Sequence, residues 1–158
     1  MAKSVKLEIL GDLPKVVSET DLQKALKAVV LVLKVEVQGV INCIFVSPKA
    51  IQVLNEQFAG NDYPTDVLSF NYFEDQGLVH EPDTTLAEIA ICSEIAASQA
   101  KEYKNSYADE LVLLLVHGLL HVFGLDHANA TDRSSFEAAQ GAIMKRLKRN
   151  TREFKWLA

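Results

Sequence analysis

Apolar and polar residues alternate through VKLEIL (5–10), the pattern of a strand with one buried face. The period then lengthens. In SETDLQKALKAVVLVLK, Leu22, Ala25, Leu26, Val29, Val30 and Leu33 recur at helical spacing and form one apolar stripe, with Thr20 and Gln23 spaced as a capping box at its start. GVINCIFVS (39–47) is β-branched and apolar and predicts a second strand. Ser47 followed by Pro48 reads as an N-cap and a first-turn proline, opening a helix that stops near Gly60. NDYPTD is turn chemistry, VLSFNYF (67–73) a strand, EDQGLVHEPDTT (74–85) a polar loop and LAEIAIC (86–92) a further strand. Ser93 is placed to cap a helix running through Ala100. Residues 108–122 are apolar nearly all round, which predicts a buried helix. Thr131 is spaced to cap a last helix reaching about Lys148, with Lys and Arg at the end the macrodipole favours. In compressed form the order is βαβαββαα: an α+β fold, a four-stranded mixed sheet packed with helices. No repeat, low-complexity tract or linker divides it, so 1–158 is expected to form a single domain.

A chain of 158 residues buries about two-thirds of its unfolded surface, enough to fold without disulfide staples. Cys43 and Cys92 lie inside apolar runs and read as buried thiols of a reducing, cytoplasmic compartment. The opening MAKSVKLEIL alternates too early for a signal segment and carries Glu8. The longest apolar stretch, 111–125, is shorter than a membrane span and is interrupted by His117, Gly118, His121 and Gly124. A net charge of −5 argues against a surface coated for duplex nucleic acid. It leaves room for a local basic patch, since six of the 16 basic residues are Lys145, Arg146, Lys148, Arg149, Arg152 and Lys155. That tail can track an RNA backbone or serve only as a solvated helix end; Phe154 and Trp156 within it can stack on bases or pack onto the body.

The candidate chemistry lies in HGLLHVFGLDH (117–127), which holds three of the chain's four histidines. His117 and His121 are one helical turn apart, about 6 Å along the axis. At that spacing both imidazoles can meet one cation at roughly 2.0–2.1 Å. Gly124 falls where a helix can end in a left-handed residue, reversing the chain and returning His127 to the other two. Three neutral nitrogen ligands with an open fourth position describe a catalytic zinc site, one Zn2+ per chain. Asp126 is placed to hold an imidazole tautomer or a water, because ligating histidines usually donate their second N–H. Two histidines at i and i+4 also occur as ordinary core residues; the glycine and the third histidine set this segment apart. His80, in the polar loop, reads as solvent-exposed and without a role.

The spacing matches the protease pattern H-E-x-x-H-x-x-G-x-x-H with one difference. Gly118 stands where those enzymes carry the glutamate base. A metal can lower the pKa of water unaided, but amide hydrolysis without a helix-borne base is disfavoured. The expectation is hydrolysis of something other than a peptide.

The pattern H-G-x-L-H-x-x-G-x-D-H is filled by His117, Gly118, Leu120, His121, Gly124, Asp126 and His127, and PTDVLSF (64–70) fits a second motif, P-T-D/N-V-L-S-F. On these residues, with Leu54, Asn55 and the lead-in from Glu110, the chain resembles the YbeY endoribonucleases, bacterial rRNA maturation factors. The resemblance extends from about residue 40 to Met144. It implies a zincin-like fold, one zinc on His117, His121 and His127, and single-strand-specific endoribonuclease activity. It also implies work in small-subunit (16S-type) rRNA 3′-end maturation and ribosome quality control. Partners implied in the same way are ribosomal RNA and the small ribosomal subunit, with ribosomal proteins or an assembly GTPase beside them.

Two departures matter. The family has an arginine in LN-x-x-Y-R-G, thought to engage RNA; here LNEQFAG places Ala59 at that position, with neither charge nor bidentate phosphate contact. The family's L-G-D-I strand appears as LAEIAI, with Ala87 and Glu88. Thr65, Asp66 and Ser69 are candidates for substrate binding, with turn and strand-start hydrogen bonding as the alternative. No residue is singled out as a general base. Three functions are therefore in view: a zinc endoribonuclease, a non-catalytic ribosome-assembly factor with a structural zinc, which Ala59 favours, and a metalloprotease, which Gly118 disfavours.

Overall fold

A computed structural model describes residues 4–72 and 81–152. The elements are β1 (Val5–Gly11), α1 (Glu19–Leu33), β2 (Gly39–Val46), α2 (Pro48–Ala59), β3 (Val67–Asn71), β4 (Thr85–Cys92), α3 (Ser93–Glu102), α4 (Tyr107–Val122) and α5 (Ala130–Arg146). Three helices follow the last strand, as the segments from Ser93, 108–122 and Thr131 predict; the shorthand βαβαββαα is one helix short. The sheet runs β1-β2-β4-β3, with β1, β2 and β4 parallel and the edge strand β3 antiparallel to β4. The expected α+β fold with a four-stranded mixed sheet is the one observed.

Alternation decides which side chains face which layer. Ile41, Cys43 and Phe45 of β2 and Ala87, Ile89 and Ile91 of β4 join the core built with α1 and α4. On the other face Ile51 of α2 packs against Ala90 and Cys92. Helix α4 is buried from Glu110 through Leu120, as an all-round apolar sequence requires. Among the described residues no helix is long and apolar enough to cross a membrane.

Several helix starts differ from expectation. Ser18, not Thr20, caps α1: its Oγ accepts from Asp21 N, and the Asp21 carboxylate accepts from Ser18 N. Gln23 is instead drawn to the sheet, donating to the Leu7 carbonyl at 2.8 Å. Ser93 is the first residue of α3, and Cys92 stands at its cap position without a side-chain bond. Asn129 rather than Thr131 caps α5, accepting from Asp132 N at 2.9 Å. Where capping residue types cluster, as in SETD and NATD, the cap is the one whose backbone is extended as the chain enters the helix. Ser47 caps α2 as expected.

The C-terminal basic run is only partly solvated. Arg149 donates to Asp109 at 3.0 Å and lies 3.5 Å from Asp21. Arg152 donates through Nε to both carboxylate oxygens of Glu110, a residue with no solvent exposure, and stacks over the Tyr103 ring. His80, Phe154, Lys155 and Trp156 lie outside the described residues.

Helix α4 meets β3 and β4 at close range. A Cβ on Gly118 would stand 2.9 Å from Ile89 Cγ2 and 3.2 Å from Ser69 Oγ. Ser69 donates to the Gly118 carbonyl at 3.3 Å, and Asn71 Nδ2 to the Val122 carbonyl at 2.9 Å. The edge strand is thus hydrogen-bonded to the helix that carries the histidines. Gly118→Ala is expected to overpack this contact and lower stability by about 1–3 kcal/mol in urea unfolding; an unchanged midpoint would contradict it.

Candidate metal centre

His117 and His121 occupy the last two turns of α4, whose length follows from the apolar run 111–122. The helix stops because Gly124 takes φ +96°, and the N–H groups of Gly124 and Leu125 close onto the carbonyls of His121 and Leu120. The reversal returns His127. One ligand nitrogen from each of the three rings lies within 4.8 Å of the others, and the Nε2 atoms of His117 and His121 are 3.3 Å apart. Among the described residues this is the group of His, Cys, Asp or Glu side chains placed to share an ion.

Two residues from α5 complete the site, and neither was singled out from the sequence. Phe136, fully buried, lies with its ring centroid 4.8, 5.0 and 5.8 Å from those of His117, His121 and His127. It walls the cluster from the core side. Gln140, 2% exposed, sets its Oε1 3.2 Å from His117 Nδ1. An amide oxygen only accepts, so Nδ1 carries the proton and the Nε2 lone pair faces the other rings. The available signal was a glutamine one turn from Phe136 on a face shared with Ile143 and Met144. Replacing it by the similarly sized Gln140→Met is expected to weaken metal binding about 10–100-fold in chelator competition, and unchanged affinity would remove Gln140 from the site.

Burial pushes the His117 pKa down to about 3, with the neighbouring His121 ring acting in the same sense. The His121 pKa is lowered too, by burial first and then by His127. Both rings are therefore neutral at pH 7, the protonation state that ligation requires. Below the unfolded pKa near 6.5 the unfolded chain takes up protons that the folded one refuses. Metal-free protein should therefore lose stability as pH falls from about 6.5 towards 3, by about 1.4 kcal/mol per pH unit for His117. Urea midpoints that stay constant across that window would contradict this.

The other expected site residues are placed as follows. Asp126 Oδ1 accepts the backbone N–H of His127 at 2.7 Å, clamping the turn, and its charge acts on His121. Thr65 Oγ1 donates to Asp66 Oδ1, which also accepts from Val67 N, while the Asp66 carbonyl accepts from Cys92 N. These are turn and strand-start bonds. Of the three candidates Thr65, Asp66 and Ser69, Ser69 touches the helix that bears the histidines. Ala59, the exposed last residue of α2, precedes Gly60 at φ +73°.

Three imidazoles, one of them orientated by a buried amide, fit a divalent ion of borderline softness. No glutamate fits at position 118, where even a methyl group meets Ile89.

The family model described as Endoribonuclease YbeY matches residues 11–148. Endoribonuclease YbeY of Alkaliphilus oremlandii is 40% identical over 127 residues, covering 77% of this chain and 83% of that one. The protein of the same name from Ureaplasma parvum is 36% identical over 116 residues, covering 73% and 72%. A match to Endoribonuclease YbeY of Thermotoga neapolitana, 42% identical, is shorter: the chain spans about half of that relative's length, 52%. The solution structure of TM1509 from Thermotoga maritima superposes with a TM-score of 0.58 at 27% identity, over 90% of this chain and 91% of that one. With the family model spanning most of the chain and the Alkaliphilus and Ureaplasma relatives covered over more than two thirds of their length, the chain belongs to the YbeY endoribonuclease family.

Proposed function

We propose that the protein is a zinc-dependent endoribonuclease that cuts single-stranded RNA at the His117, His121 and His127 centre. The observation that carries this reading is the convergence of three ligand nitrogens within 4.8 Å on a helix end whose glycine leaves no room for a protease base. His117, His121 and His127 would hold one zinc, which when bound supplies a Lewis acid for phosphodiester hydrolysis. Gln140 keeps the His117 proton on Nδ1, and Phe136 keeps water from beneath the rings. The cellular role in this reading is small-subunit rRNA 3′-end maturation and ribosome quality control, in contact with the small ribosomal subunit and with ribosomal proteins or an assembly GTPase. The setting is cytoplasmic, which the buried free thiols of Cys43 and Cys92 support.

A second reading has one observation behind it. Ala59 presents no guanidinium at the end of α2, which favours an assembly factor that holds zinc without cutting. Purified protein should be incubated with single-stranded and duplex rRNA fragments, before and after chelation and with zinc restored, alongside elemental analysis. Cleavage confined to single strands, lost with chelator and regained with about one zinc per chain, supports the nuclease. Zinc-loaded protein that binds small subunits yet cuts nothing supports the assembly factor. Turnover of casein would overturn both.

A further inference from the structure

A groove on the side of α1 runs to the C-terminal end of α5. Lys24, Lys27, Leu31, Arg146, Leu147 and Lys148 line it, together with Ala28, so that four cations stand over an apolar floor without a carboxylate among them. A second concavity shares Lys27 and Leu31 and carries the groove on to Lys34, with Glu36 as the acid at its far end. Asp21, whose field reaches Lys24, is already held by Ser18 and Arg149. Among the described residues no ion pair joins Lys24, Lys27, Lys34, Arg146 or Lys148 to a carboxylate. In a chain of net charge −5 this is a concentrated reversal of sign.

A second observation is independent of the charge. Three lysines adopt the left-handed conformation, where chains ordinarily place glycine: Lys104, at φ 54°, lines neither concavity, whereas Lys34 and Lys148, at φ 55° and 57°, do. Both stand at the ends of helices and both line the groove. The backbone would accept glycine at either place with less strain.

We propose that this groove binds the phosphate backbone of an RNA strand, resting on the reading of the protein as a ribonuclease. The concave shape between two helix ends suits a strand better than a membrane surface, which calls for an amphipathic face that can lie in its plane. Helix α5 links groove and metal centre. Gln140 touches His117, and Arg146 lies six residues on, about 9 Å of helical rise. A strand seated in the groove thus lies along the helix that also contacts the metal centre, held by contacts that read no sequence.

The test exploits the two left-handed lysines. The double variant K34G/K148G removes two charges while easing the backbone, so its melting temperature should equal or exceed that of the wild type. A second double variant, K27Q/R146Q, removes two charges without touching those positions. Binding of a fluorescent, cleavage-resistant 2′-O-methyl oligouridylate is followed by anisotropy against salt concentration. Each double variant should flatten the dependence of log K on log salt by about 1.4, or 0.7 per phosphate contact on a single strand. With cleavable RNA, KM should rise on the order of tenfold at low salt while kcat is kept. An unchanged salt slope in both variants overturns the proposal. So does tighter, lysine-dependent binding of phosphatidylserine vesicles or polyglutamate than of the oligouridylate. Groove-dependent RNA binding by a protein that cuts nothing would leave the groove standing and reject the nuclease reading instead.

Discussion

His121→Ala should abolish RNA cleavage and leave the purified protein nearly free of zinc. A bound zinc contributes apparent free energies of about 10–16 kcal/mol, shared here among three ligands, so one imidazole accounts for roughly 3–5 kcal/mol. That corresponds to a loss of about a thousandfold in affinity. His121 is the informative choice because it is half-buried, at the last turn of α4, and its loss leaves the His117–Gln140 contact in place. His117→Ala would also strand the buried Gln140 oxygen, confusing ligand loss with misfolding. The variant should melt like metal-free wild type and differ from it when zinc is added. A variant that keeps one zinc per chain and cuts at the wild-type rate would show that the three rings do not share an ion.

Arg152→Ala should be the most destabilising single change outside the metal centre. Glu110 has no solvent exposure, and Arg152 Nε lies 3.0 Å from each of its carboxylate oxygens, while Asn105 donates to it from 3.3 Å. Removing the guanidinium leaves a buried charge without its counter-ion, which costs about 3–5 kcal/mol. For a chain of this size that lowers Tm by roughly 10 °C. Arg152→Lys should recover little, because an ammonium cannot bridge two oxygens in one plane. Replacing both partners, as in the double variant E110Q/R152M, should recover most of the loss, since a buried pair is often worth no more than a neutral filling of similar volume. Thermal melts of the four proteins decide. If the single and double variants melt together near the wild type, the pair is not the lock that its burial indicates.

The sheet was largely legible because its cues are local. VKLEIL, GVINCIFV and LAEIAIC carry their strand character in six to eight residues, and the alternation of side chains along a strand assigns their faces. The helix termini were less so: several residues in SETD and NATD can cap, and only backbone geometry chooses Ser18 and Asn129. The basic tail is one run in the sequence and two things in the fold. Arg149 and Arg152 turn onto acids of α1 and α4, whereas Arg146 and Lys148 line the groove.

The metal centre divides along the same line. Its three histidines are legible in the chain alone, because one helical turn and a glycine reversal bring His117, His121 and His127 together within a span of eleven residues. What holds and tunes them belongs to the tertiary structure. Gln140 reaches His117 across 23 positions, Arg152 reaches Glu110 across 42, and Ser69 reaches Gly118 across 49. No periodicity encodes such partners. They meet only when α5, the C-terminal segment and the edge strand close over α4, and packing in three dimensions makes that choice.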